Sequence, residues 1–411
     1  MADFQYDIAF LGGLFPPDYE SEIYSDSIGS VQVAANTLQW NFVRGFDSLN
    51  VQPVHIINSL YIGSFPNHYK KLFIPTFQFN HHNDSEDINV GFCNIYGVKQ
   101  YFRYYSLKPY LKKWALRKSE YPKVIFGYAL TATFVKCMRY IKRINPEIQT
   151  FMIVPDLPEY MNTSNQISSF YKILKQTEIR LIHSEMKCID GYVLLTQYMK
   201  DFLRIQTPYV VVEGIASENQ SSIFTNSKDS NLKKITYTGT LHERYGVMHL
   251  VDAFEGITDP NYRLILCGKG DAEEQILQIA QRDPRIIYKG QLQHDEILRL
   301  QAESTVLVNP RQNNEEYTKY SFPSKIMEYL SSGTPVIAYK LDGMPDEYDD
   351  YIHYVLDSSE ETLTNTLIRV CNMRQDELDD TGRKAQNFVW IEKSAKMQVY
   401  KVLDMIKNTI S

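Results

Sequence analysis

Ser324, Lys325 and Glu328 lie within little more than one turn at the head of a helical pattern, and their types suit binding an anion beside hydroxyls. A serine at a helix start is a good N-cap. A lysine beside it adds a full charge to the helix dipole, and such an end attracts phosphate. Glu328 follows as an acid on an otherwise apolar turn. The flanking sequence supplies the elements that must position these groups. Leu307-Val308-Asn309-Pro310-Arg311 reads as a strand ending in a polar loop, with Arg311 just beyond the strand. Ile326, Met327 and Leu330 give the helix its apolar stripe, Gly333 stops it and Pro335 prevents its continuation. Val336-Ile337-Ala338 then begins another strand. This strand–loop–helix–strand layout suits gripping a nucleotide phosphate and ribose together.

Other residues offer weaker chemistry. Asp156 follows the strand pattern Phe151–Val154 within Pro-Asp-Leu-Pro, where a carboxylate serves as a base, orients an acceptor, or simply makes a turn. Gly12-Gly13 closes the first strand before a long polar loop, so Gly13 either lets a ligand approach the backbone or forms an ordinary turn. Gly268-Lys269-Gly270 lacks the third glycine of a dinucleotide fingerprint, since position 273 is Glu, and an NAD site is rejected. It reads instead as a tight turn facing a cleft. His81-His82 has no second cluster at ligand spacing, so it reads as a surface loop and no metal site is expected. Lys99 to Lys118 holds seven Lys/Arg and no acid, interleaved with Tyr101, Phe102, Tyr104, Tyr105, Tyr110 and Trp114. That pattern fits an anionic membrane surface or a lipid-pyrophosphate acceptor, and equally a core-facing helix with a solvated basic side.

The whole chain, 411 residues with net charge −6, has volume for two or three domains and no general nucleic-acid footprint. No stretch approaches the roughly 18–20 apolar residues of a membrane span. The start, Met1 to Asp7, lacks a basic n-region and leads directly into a strand, so no signal peptide is expected. Five scattered cysteines without a CxxC pair suit a reducing cytoplasm, where they pack rather than react.

Short β-branched or aromatic runs alternate with helical patterns almost throughout, the form of α/β layering around parallel sheets. In the first half the strands are expected at Tyr6–Leu11, Val51–Ile57, Val124–Phe126, Thr150–Val154, Gly191–Leu195 and Val210–Val212. The polar stretch Ala216 to Asn231 reads as a linker. The pattern then restarts at Lys234–Tyr237, Arg263–Cys267, Arg285–Tyr288, Thr305–Val308 and Val336–Ala338. The first three of these end in glycine-containing loops, which should line a crevice at the carboxyl ends of the strands. Ala385 to Ile410 reads as helical.

With these motifs in place, the chain resembles glycosyltransferases of the GT-B fold, specifically family 4 (group 1). The resemblance is carried by Tyr237-Thr-Gly-Thr240 with Tyr245-Gly246, Leu266-Cys-Gly-Lys-Gly270, Tyr288-Lys-Gly290 and the Pro323–Val336 block. In the first half it rests on Leu11-Gly-Gly13, Val154-Pro-Asp-Leu-Pro-Glu159 and Leu194-Leu-Thr196. It implies two Rossmann-like domains facing each other across a cleft. An acceptor domain would span 1–214 and a nucleotide-sugar domain 215–390, with a terminal helix at 391–411 returning to the first. It further implies a metal-independent, cofactor-free transfer, retaining in stereochemistry, from a nucleoside-diphosphate sugar to a saccharide or lipid-linked acceptor in surface polysaccharide or glycoconjugate synthesis. The expected setting is cytoplasmic, with 99–118 offering contact to the inner face of the membrane.

Within the resemblance, Glu328 matches the second of two family glutamates and holds the donor ribose. The first falls on Tyr320, leaving Glu315 or Glu316 to reach the sugar, with Glu316 the catalytic choice. The family's Arg and Lys after the restarted strand are Thr240 and Tyr245 here, so diphosphate charge must come from Lys325, Arg311 or Arg244. Lys325 is the favoured one. Gly239, Thr240, Gly268, Ser324 and the backbone near Leu292 complete the expected donor site, and Asp156 the catalytic set. Two competing readings are a GT-B-like sugar-nucleotide epimerase and a non-catalytic two-lobed sugar-binding or partner protein.

Overall fold

The computed structural model describes residues 4–29, 31–160, 169–216 and 232–410. The expected linker therefore lies, beyond Ala216, outside the described residues. The chain divides into two compact units, Met1–Ile215 with Ala395–Ser411, and Ala216–Ser394.

The first unit is built on an eight-stranded sheet. Its spatial order is Tyr209–Val211, Gly191–Leu194, Gln149–Val154, Lys123–Tyr128, Asp7–Gly12, His55–Asn58, Asp87–Asn89, Phe77–Phe79. Every neighbouring pair is parallel except the last, which is antiparallel. The central strands are buried along nearly their whole length, as sheets covered on both faces require. The expected strand Val51–Ile57 begins later, at His55. Asp87–Asn89 and Phe77–Phe79 were not anticipated.

Helix Val33–Leu49 buries Trp40, Phe42, Val43, Phe46 and Leu49 against this sheet. The last helix, Ala395–Ile410, packs on it through Val399, Val402, Leu403 and Ile406, all fully buried in the first unit's core. Burial of each such side chain contributes about 1.5–3 kcal/mol. Gly45 permits the approach: a Cβ there would sit 2.4 Å from Val399 and 2.6 Å from the Ala395 carbonyl oxygen. The single helical segment expected over Ala385–Ile410 is in fact two helices, Gln375–Glu392 and Ala395–Ile410, divided at Lys393-Ser394.

The second unit carries a six-stranded, wholly parallel sheet in the order Ile286–Tyr288, Tyr262–Cys267, Lys233–Thr238, Val306–Asn309, Val336–Ala338, Ile352–Tyr354. Numbered within the unit this is 3-2-1-4-5-6, the doubly wound arrangement. Its core centres on Ile235, Leu250, Phe254, Leu264, Leu266, Val306, Val308, Ile337 and Leu367. Gly333, at φ +75°, ends helix Ser324–Ser331 as expected.

Candidate active site

In a doubly wound sheet a ligand sits where the winding reverses, outside the carboxyl ends of the first and fourth strands. Here those ends are Thr238 and Asn309, and the loops leaving them begin Gly239-Thr240 and Pro310-Arg311. Helix Ser324–Ser331 is tied to the first of them by Tyr329, a fully buried side chain. Its hydroxyl accepts from the Thr238 amide at 2.8 Å and donates to the Thr238 carbonyl at 3.0 Å.

That tie places Glu328 and Lys325 over the strand end. Lys325 Nζ lies 3.0 and 3.1 Å from the two Glu328 carboxylate oxygens. Gln301 Nε2 donates to Glu328 Oε1 at 2.5 Å and to Thr238 Oγ1 at 2.9 Å. Lys325 also passes over Gly239, since a Cβ at that glycine would lie 3.7 Å from Lys325 Cε and 3.1 Å from the Tyr237 hydroxyl. The glutamate is 20 % exposed and the lysine 34 %, so both are held yet reachable. A carboxylate has about four lone-pair sites, and two donors leave Glu328 capacity for hydroxyls.

A second cluster follows the fourth strand. The Arg311 guanidinium stands 4.8 Å from the Tyr317 ring centroid and 5.7 Å from that of Tyr245, and its Nη2 donates to Ser321 Oγ at 3.0 Å. Its Nε is buried without an acceptor among the described residues. Arg244 lies over the same two rings, at 5.0 and 5.7 Å, and pairs with Glu315 at 3.3 Å. Glu316 is exposed at the start of a short 3-10 turn, Glu316–Tyr320.

Several expectations change. Ser324 is not the N-cap: Pro323 occupies that position without a side-chain cap, and Ser324 is the exposed first helical residue. Of the first amides, that of Ile326 donates to the Pro323 carbonyl at 2.8 Å, and those of Ser324 and Lys325 have no partner within the helix. Gly268, at φ +136°, is a close-approach residue; a Cβ there would sit 1.8 Å from the Gly239 carbonyl oxygen. Its carbonyl accepts from the Tyr288 hydroxyl at 2.9 Å, which braces one loop on the other. Thr240 is exposed, and its carbonyl accepts from Tyr237 at 2.9 Å. The Leu292 side chain packs on Ile265, Cys267 and Leu300.

In the first unit, the Gly13 amide already donates to Gln39 Oε1 at 2.8 Å, and its carbonyl accepts from the Tyr61 amide at 3.0 Å. Its backbone is spoken for. Asp156 is exposed just past strand Gln149–Val154, but crowding there desolvates the carboxyl and pushes its pKa up to about 6. His81 is no surface residue. Its Nδ1 lies 2.6 Å from Asp87 and its Nε2 3.0 Å from Asp47. Burial alone would lower its pKa, but the two carboxylates override this and hold it at about 9. Among the described residues no group of His, Cys, Asp and Glu is arranged to hold a metal ion.

Gln301, Tyr329, Tyr317 and Thr238 were not anticipated as site residues. Gln301 acts on Glu328 from a different helix, and Tyr329 passes in the sequence as one more core residue of its own.

Residues 232–372 match the family model described as glycosyl transferases group 1. No curated protein matches the chain. Among solved structures, sucrose-phosphate synthase from Thermosynechococcus elongatus is 15 % identical with a TM-score of 0.62, covering 98 % of each chain. Anabaena Alr3699/HepE in complex with UDP is 14 % identical, TM-score 0.63, covering 98 % of this chain and 100 % of that one. The lipopolysaccharide outer core galactosyltransferase WaaB is 13 % identical, TM-score 0.61, covering 98 % and 99 %. At these identities the likeness is one of fold, and that fold is GT-B. The matched segment makes the second unit a group 1 glycosyltransferase domain.

Proposed function

We propose that the protein moves a sugar from a nucleoside-diphosphate sugar, bound at the strand ends of the second unit, to a hydroxyl of a saccharide or lipid-linked saccharide. The observation that carries this reading is the Lys325–Glu328 pair, held by Gln301 at the end of the first strand and beside Gly239. Glu328 accepts the ribose hydroxyls. Lys325 and the uncapped helix start take the diphosphate, where charge grows as the sugar leaves. Arg311 adds a second cation. The backbone near Leu292 meets the base. Of the two exposed acids Glu315 and Glu316, Glu315 is held by Arg244 at 3.3 Å beside the ring of Tyr317 and is the one to reach the sugar.

These groups carry the leaving-group charge without a metal. Transfer retains anomeric configuration, with the acceptor attacking on the face from which the diphosphate departs. Asp156 orients the acceptor or takes its proton, a role suited to a carboxyl titrating near 6. Support for a uridine donor comes from solved structures of HepE with UDP, with UDP-glucose, and with UDP and glucose. Support for surface glycoconjugate synthesis comes from WaaB and from the basic, aromatic helix Lys99–Leu116. That helix exposes Phe102 and Leu116, apolar side chains that suit work at the cytoplasmic face of a membrane. No helix among the described residues is long and apolar enough to cross one.

A panel of nucleotide sugars tests the reading through thermal stabilisation and nucleotide release. At 100 times its Kd a donor adds about 2.7 kcal/mol of stability. A panel in which none stabilises the protein or is turned over rules the reading out.

A further inference from the structure

We infer that the cavity between helices Lys99–Leu116 and Ala132–Ile144 of the first unit binds an acidic saccharide. The inference deepens the function proposed above, and rests on it in taking the acceptor to be a carbohydrate. The cavity has a volume of about 320 Å³, within the range of small-ligand sites. Its walls carry two kinds of group. Tyr101, Tyr104, Tyr105 and Tyr140 present rings, and Lys136, Arg139 and Arg143 present charge. Lys108 joins them, with Nζ 4.7 Å from the Tyr140 ring centroid and 5.5 Å from that of Tyr105.

The charge is local, in a molecule whose overall net charge is −6. The single acid of the lining, Glu185, pairs with Arg139. Glu178, outside the lining, feels Lys136 at longer range. Lys108, Lys136 and Arg143 are thus directed to an anion by the balance of charge around the cavity. The rings specify more than charge. Tyr101 is 61 % exposed and Tyr105 50 %, with centroids 4.4 Å apart. An exposed ring offers a flat apolar face with a hydroxyl at its edge, matching a sugar's C–H face and hydroxyls. The aliphatic side of the helix is spent elsewhere: Leu107, Leu111 and Trp114 are buried in the first unit. Within the recess, cations and phenols fit a charged sugar, and the apolar groups that a bilayer surface would call on, Phe102 and Leu116, lie outside its lining.

Calorimetric titration of the full chain tests this with tetragalacturonate, neutral maltotetraose and phosphatidylglycerol vesicles as probes, and UDP in a separate titration. Tetragalacturonate should bind far more tightly than maltotetraose. The double variant Lys136→Glu/Arg143→Glu should weaken it at least tenfold, Tyr101→Ala should weaken it less, and UDP affinity should stay unchanged in both. Failure of tetragalacturonate to bind, equal binding by the variants, or binding of vesicles alone would overturn the inference. Loss of UDP binding by the unmodified chain, with tetragalacturonate binding intact and sensitive to the variants, would instead remove the donor-site reading and leave the saccharide site standing.

Discussion

In the second unit the loops after Thr238 and Asn309 bring Lys325, Glu328 and Arg311 to accessible positions; in the first, the corresponding loops after Gly12 and Tyr128 are filled by the unit's own side chains. Both sheets reverse their winding between the first strand and its later parallel neighbour, so topology offers a crevice in each. Side chains decide what becomes of it. In the first unit Gln39 takes the Gly13 amide, and the Tyr61 hydroxyl accepts from the Ala129 amide at 3.2 Å. Arg103 is buried nearby, 2 % exposed, donating to Ser59 Oγ at 2.9 Å and to the Ser59 carbonyl at 2.5 Å. Its guanidinium lies 5.2 to 5.5 Å from the ring centroids of Tyr61, Phe134 and Phe92. One crevice leaves its cations accessible. The other spends its cation on packing.

This contrast can be broken by substitution. The largest effect should follow Lys325→Ala, which removes a cation from the leaving group: nucleotide release from the donor should slow about 10²–10³-fold with folding intact. Arg103→Ala should do the reverse. It removes a buried side chain and its hydrogen bonds, costing about 3 kcal/mol in urea unfolding, and leaves UDP affinity unchanged. If Arg103→Ala weakened UDP binding as Lys325→Ala does, the division between ligand cation and packing cation would fail.

A smaller effect belongs to His81. Its pKa is raised in the folded state to about 9, so its ion pairs with Asp87 and Asp47 contribute fully below an unfolded value near ~6.5. That contribution is lost as pH rises through about 9. The urea midpoint of the unmodified protein should therefore drop between pH 6.5 and 9.5, and His81→Asn should flatten this part of the curve. The subtlest is a change of shape: the rate of sugar transfer should decline below pH 6 as Asp156 protonates, and Asp156→Asn should abolish that acid limb.

The second unit was legible because its strands are compact apolar runs, the first three leading into glycine-containing loops, and because the Pro323–Val336 block sets Lys325 and Glu328 on one helical face. Ile352–Tyr354 escaped notice because it is three residues long and carries a histidine at its centre. Asp87–Asn89 is likewise short and polar, joined to the sheet by pairing with Ile57 and Asn58. Gln301 gives no local signal, since its role depends on Glu328 being brought to it by the fold. Arg103 misleads for a related reason. In a basic stretch a lysine or arginine reads as solvated, and its hydrogen bonds to Ser59 together with the rings of Tyr61, Phe92 and Phe134 make burial tolerable. The misplaced cap has a simpler cause: Pro323 occupies the position that a serine so near the helix start would be expected to take.

The central claim is that the strand ends of the second unit grip a nucleoside diphosphate through Lys325 and Glu328. Calorimetric titration of UDP into the unmodified protein, Lys325→Ala and Glu328→Gln tests it most directly. The account predicts saturable binding by the first and at least tenfold weaker binding by each variant. Equal UDP affinity in all three, or no binding of any nucleoside diphosphate to the unmodified chain, would contradict it.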